Sequence, residues 1–186
     1  MDELIQVDKA ALREAWTETV TNFADWSVFI SMTFDTADRT HDVTWDESLY
    51  LWRRLVQALN RQLYGNHYLR QVGHSYFPYA LAFEYQTRGV LHMHALAEGP
   101  TNWEAINGLW RQMAGIVNVE PVTNKYKSAK YLCKYVTKGG DVILYRSNKK
   151  IKPPAFKPAW YLNAICKLEA WHAESKTSPC GNLPTH

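Results

Sequence analysis

Residues 76–85 and 90–97 are two runs of strand-type residues separated only by a short turn-prone segment containing Gly89. Nothing else in the chain constrains the fold as tightly, because runs this close together pair as an antiparallel hairpin. Antiparallel partners have a constant sum of residue numbers, and a three-residue loop Thr87-Arg88-Gly89 closes Gln86 against Val90. That loop type wants a left-handed residue at its third position, which glycine supplies without steric cost. The register that follows sets Glu84 opposite His92. Residues two apart in a strand share a face, so His92 and His94 project with Glu84 while Leu91, Met93 and Ala95 project the other way. A two-residue loop would turn Glu84 to the opposite face.

Two imidazoles and one carboxylate with open coordination positions suit a catalytic divalent metal better than a closed structural one. The plainer alternative is a histidine pair on a part-exposed sheet face beside an ordinary surface acid. A structural zinc site needs a fourth ligand, which the sequence does not offer. His41, His67, His74, His172 and His186 have no comparable company and read as surface or structural.

Around the hairpin, hydrophobic spacing orders the chain. Residues 8–25 space apolar positions at helical intervals behind Asp8 as an N-cap. "WSVFISMTFD" reads as a first strand at about 27–34, and "TWDE" has the Thr-x-x-Glu form of a capping box opening a helix to about Tyr64. After Gly65 a loop with a short strand is expected. "TNWEAINGLWRQMAG" is an amphipathic helix, "IVNVEPV" a strand, "KSAKYLCKYVTKGG" a helix closed by glycine, and "DVILYRS" a further strand. "NKKIKPPAFKP" is a proline-broken basic linker, and residues 159–175 look helical. The β-α-β-β-α-β series predicts an α+β, ferredoxin-like fold: a central antiparallel sheet of about five strands flanked by helices. With 186 residues the chain suits one domain, with a core at about 26–145, the N-terminal helix at 8–25, linker and C-terminal helix at 146–175, and a flexible tail at 176–186.

No run approaches the roughly 18 apolar residues of a membrane helix, and "MDELIQVDKA" lacks a signal-peptide core, so a cytoplasmic protein is expected. Cys133, Cys166 and Cys180 are odd in number and lack metal-type spacing, which fits reduced thiols. Charge is unevenly placed: residues 125–158 hold ten of the 21 Lys and Arg but one of the 18 acids. Such concentration is the footprint of a phosphate-binding surface, the alternative being a solvated charged face. Arg88, Lys127, Lys130, Lys149, Lys150 and Lys152 are the candidate DNA contacts.

"YLCKYVTKGGD" places Tyr131 and Tyr135 four apart on one helical face, with Lys134 and Lys138 following each at three. A phenol with its ordinary pKa of about 10 needs nearby positive charge or a metal-polarised electrophile to attack a phosphodiester. The bland alternative is a helix with core tyrosines and solvated lysines.

Taken together, "FISMTFD", "RGVLHMHAL" and "YLCKYVTKGGD" resemble, in order, the three motifs of the HUH endonucleases, and more narrowly their rolling-circle replication initiators. Glu84 stands where that family often has its third metal ligand. The tyrosine pair resembles the two-tyrosine branch, such as the gene A proteins of small single-stranded DNA phages. The resemblance covers about residues 28–141. It implies a site-specific nickase and strand transferase acting on single-stranded DNA at a hairpin-flanked replication origin. Mg²⁺ or Mn²⁺ would be held by Glu84, His92 and His94, and Tyr135 would attack first to leave a 3′-hydroxyl and a 5′-phosphotyrosine bond. Tyr131 would perform the second cleavage, and Lys138 and Lys134 would steady the phosphate or phenolate. The chain shows no Walker-type GxxxxGK[ST], so a host helicase is expected beside a host polymerase. Rival readings are a single-strand transposase of the same class, which uses one tyrosine, and a non-catalytic single-stranded nucleic-acid-binding module.

Overall fold

Thr44 and Glu47 show how closely local sequence dictates this fold. The Glu47 carboxylate accepts from the Thr44 backbone N–H at 2.8 Å while the Thr44 hydroxyl accepts from the Glu47 N–H at 3.3 Å, a complete capping box. A computed structural model of the protein describes residues 8–35, 42–85, 89–99, 103–136 and 140–147. Its elements are α1 (Lys9–Phe23), β1 (Val28–Phe34), α2 (Trp45–Tyr64), α3 (Tyr68–Val72), β2 (Tyr79–Tyr85), β3 (Leu91–Ala97), α4 (Trp103–Met113), β4 (Gly115–Pro121), α5 (Lys125–Cys133) and β5 (Val142–Tyr145). The strands form one antiparallel sheet in the order β4-β1-β3-β2-β5. The architecture is the ferredoxin-like α+β fold.

Strand alternation separates two apolar layers. Val28, Ile30 and Met32 of β1, Leu81 and Phe83 of β2, and Leu91 and Met93 of β3 face α2 and α4, whose Trp52, Leu55, Val56, Ile106 and Trp110 are buried against them. The opposite face carries Ala80 and Ala82 of β2 and Leu96 of β3 against Val20 of α1 and Ala129, Leu132 and Cys133 of α5. Its small side chains let α5 lie close to the sheet. The Cys133 thiol is free and buried, and burial pushes its pKa up to about 11. Among the described residues no helix is long and apolar enough to cross a membrane.

Three expectations are corrected. After Gly65 the chain makes the short helix α3 rather than a strand, closed where the Gly73 N–H donates to Leu69 O at 2.8 Å. Tyr68 in this helix is fully buried, so a core contact overrides a stretch whose local pattern is weak. Second, β2 starts at Tyr79, because Ser75 and Tyr76 are held by α2 instead: Asn60 donates to Ser75 Oγ at 3.1 Å and accepts from the Tyr76 N–H at 2.9 Å. Third, α5 ends at Cys133, well before the glycines, where the backbone tightens into hydrogen bonds three residues apart. The tyrosine pair therefore spans the helix and the turn after it. Gly140 lies against β2, where a Cβ would meet Phe83 O at 2.4 Å. The basic linker, the C-terminal helix and the tail expected after residue 147 lie outside the described residues.

Asn60 is wholly buried and its amide serves two elements at once. Asn60→Ala orphans the Tyr76 N–H and is expected to lower stability by about 2 kcal/mol in urea unfolding. A change below about 0.5 kcal/mol would mean the amide is not what fixes the start of β2.

Candidate active site

β3 lies between β1 and β2, and its register with each brings one residue row together. Glu84 of β2 pairs with His92, and Ala82 with His94. Glu84 and His92 are thus placed as the hairpin sum predicted, and Gly89 has the expected positive φ of 79°, while Gln86 to Arg88 lie outside the described residues. On the other side Thr33 pairs with His92 and Ser31 with His94. The Thr33 hydroxyl bonds His92 Nδ1 at 2.9 Å, and the Ser31 hydroxyl bonds His94 Nδ1 at 3.0 Å. If each hydroxyl accepts from an Nδ1–H, the imidazole is in the tautomer whose Nε2 lone pair is free to ligate. Sequence reading missed Ser31 and Thr33. Their position in "FISMTFD" was the available signal, but the β1–β3 register joins segments about sixty residues apart.

His94 Nε2 is buried, makes no hydrogen bond among the described residues, and sits 3.8 Å from Glu84 Oε2. Burial lowers the pKa of both histidines. For His94 burial, with the neighbouring His92, brings it to about 3, with Glu84 opposing. Both rings are therefore neutral at pH 7 and available as ligands. Among the described residues no three His, Cys, Asp or Glu side chains stand close enough, as placed, to hold a metal ion. The donor types nonetheless fit one: a buried bare imidazole nitrogen, a second imidazole with its ring 4.8 Å away, and a part-exposed carboxylate beside them.

Both tyrosines reach this cluster from α5 and the turn that ends it. The Tyr135 ring lies flat on His94, 4.8 Å between centroids and 4° between planes, and is 1% exposed. Tyr131 stands edge-on to the same imidazole at 5.6 Å and is 45% exposed. Phe29 touches both His94 and Tyr131, walling the side toward β1. Lys134 holds its ammonium 4.0 Å from the Tyr131 ring centre and 4.7 Å from that of Tyr135. Burial, followed by Tyr131 and Glu84, raises the Tyr135 pKa far above that of a free phenol. A cavity of about 180 Å³ opens beside Tyr135, lined by Trp45, Phe83, Glu84, Tyr85, Gly140 and Asp141.

The basic candidates divide. Lys127 is exposed and forms no ion pair among the described residues. Lys130 is exposed beside α1, its ammonium 3.6 Å from Glu14 and 3.2 Å from the Tyr126 hydroxyl. Arg88, Lys138, Lys149, Lys150 and Lys152 lie outside the described residues.

A family model described as Replication-associated protein ORF2 matches residues 27–140. The chain belongs to this replication-associated protein family. The match runs from β1 to Gly140 and contains Glu84, His92, His94, Tyr131 and Tyr135, while α1 of this family member lies outside it. Comparison with curated proteins finds no match. Among solved structures, the N-terminal nuclease domain of non-structural protein 1 of minute virus of mice is similar at 12% identity, over 87% of this chain and 82% of that one, with a TM-score of 0.26. That value is too low to carry an argument about this replication-associated protein.

The depressed His94 pKa has a stability consequence with a definite sign. Between its ordinary 6.5 and about 3, the unfolded chain binds a proton that the folded chain refuses. Stability is therefore full above about pH 6.5 and is lost as pH falls toward 3. Urea unfolding in chelator should show a loss of roughly 3 kcal/mol between pH 7 and pH 4. The slope should flatten in His94→Gln, and an identical slope in both proteins would remove the assignment to His94.

Proposed function

We propose that this chain is a metal-dependent endonuclease and strand transferase that nicks single-stranded DNA at a replication origin and starts rolling-circle replication. The observation that carries the reading is the convergence of two phenols on one buried, neutral imidazole beside Glu84, with ring centroids at 4.8 and 5.6 Å. Residues 1–186 are read as one domain, with the core at 26–145.

Glu84, His92 and His94 would hold Mg²⁺ or Mn²⁺, which when bound polarises a non-bridging oxygen of the scissile phosphate. Ser31 and Thr33 orient the imidazoles, and burial keeps them unprotonated. A tyrosine oxygen attacks phosphorus in line, the bond to the 3′-oxygen breaks, and a 5′-phosphotyrosine link conserves its energy for rejoining. The second tyrosine cleaves the returning strand, so the nucleophiles alternate. Lys134, over both rings, favours the phenolate that burial of Tyr135 opposes. Tyr135, the first nucleophile by its motif spacing, has to leave His94 to meet DNA; Tyr131 is already open to solvent. Lys138 and the basic residues Arg88, Lys127, Lys130, Lys149, Lys150 and Lys152 are assigned to phosphate contacts. Strand separation and synthesis fall to the host helicase and polymerase.

The difference in exposure also favours a second reading, a one-tyrosine enzyme of the transposase kind in which Tyr135 only packs. Incubation with a labelled, randomised single-stranded oligonucleotide pool and Mn²⁺ tests both. A denaturation-resistant adduct should form, vanish with chelator, and fall at least about 100-fold in Glu84→Ala or His92→Ala. Tyr131→Phe and Tyr135→Phe should each lose strand transfer, and the double variant should form no adduct. Full transfer in Tyr135→Phe supports the one-tyrosine enzyme. Chelator-insensitive binding without any adduct would leave only a nucleic-acid-binding module.

A further inference from the structure

α1 lies outside the family match, yet it touches the tyrosine helix at every level. Val20 packs in one cluster with Ala129, Leu132 and Cys133. Glu14 accepts from the Tyr126 hydroxyl at 2.6 Å and lies 3.6 Å from Lys130, and just past the end of α1 Asp25 pairs with Lys125. The most informative contact is Arg13, whose Nη2 donates to the backbone carbonyl of Lys130 at 3.0 Å. In a continuing α-helix that carbonyl takes the N–H of Lys134. Here the Lys134 N–H turns to Tyr131 O at 3.3 Å, and the Tyr135 N–H to Leu132 O at 3.4 Å. The last turn is thereby tightened, and a guanidinium fills the position that the tightening vacates. A cation at a helix C-terminus is also favoured by the helix dipole.

The turn decides where the two rings go. Unbroken α-geometry would stack the phenols four residues apart on one face, whereas the tightened turn sets Tyr135 flat on His94 and leaves Tyr131 edge-on, their own rings at 85°. We propose that Arg13 is a positioning residue for the tyrosine pair: by capping Lys130 O from α1, it holds the end of α5 in the form that divides the two phenols between a flat and an edge-on place at one imidazole. The inference rests on the proposed nicking activity for its kinetic arm only.

The test uses the full chain with Arg13→Met, which keeps length and removes the donors, and Arg13→Lys, which returns one. With the randomised single-stranded pool and Mn²⁺, single-turnover adduct formation by Arg13→Met should fall about tenfold, while binding of the pool in chelator stays within about twofold. Trypsin separates the two tyrosines, since Lys130, Lys134 and Lys138 bound the peptides 131–134 and 135–138. The ratio of adduct on the two peptides should shift at least about threefold in Arg13→Met and return toward the wild-type ratio in Arg13→Lys. An unchanged ratio, with a rate that only tracks the folded fraction, overturns the proposal and leaves Arg13 an ordinary packing contact. If the wild-type protein forms no adduct, the nicking assignment fails, and amide exchange decides the positioning separately. Faster exchange at Lys134 and Tyr135 in Arg13→Met upholds it, and unchanged protection overturns it.

Discussion

The hydrogen-bonded register of β3 with its two neighbours is the constraint on which the rest of this molecule depends. Because side chains alternate along a strand, one slip of either pairing would carry His92 and His94 into the apolar layer beneath α2 and α4. The slip is blocked by that layer. Met93 and Leu91 fill it and are buried, so moving the histidines inward would also push these apolar groups out. The imidazoles are thus held in place largely by what their sequence neighbours do on the far side of the sheet. The orienting hydroxyls of Ser31 and Thr33 then complete a site whose backbone positions are already determined.

The parts legible in the sequence are those determined by neighbours along the chain. A capping box fixed the start of α2, and the hairpin register inferred from Gly89 set Glu84 opposite His92. The parts that escaped are determined across long separations. Tyr68 is helical because its ring is buried, and the approach to β2 is set by Asn60 on α2. The contact of Lys130 with Glu14 of α1 likewise joins residues whose proximity no local pattern announces. The pairing of Ser31 and Thr33 with the histidines belongs to the same class, since strand order in a sheet is a property of the assembled fold.

Electrostatically the site combines opposites at short range. The His94 imidazole is buried and neutral, the phenol of Tyr135 resists ionisation, and yet Lys134 brings its ammonium over both tyrosine rings. A low-dielectric pocket magnifies whatever charge finally enters it, so an incoming phosphate would meet strong forces from few groups. Such a site spends little on reorganising water and relies on the placement of side chains instead. It is consistent with a protein whose task needs one defined geometry.

That placement has an unobtrusive foundation in Ala80 and Ala82. They lie where α5 comes down on the sheet, and their methyl groups act as the thinnest available spacers. The distance between the tyrosines and the histidines is therefore gauged by atoms that are missing from β2. A bulkier pair there would work like a shim, lifting the helix and parting phenol from imidazole without touching either. Two alanines with no chemistry of their own thus set the tolerance to which the chemically capable residues are machined.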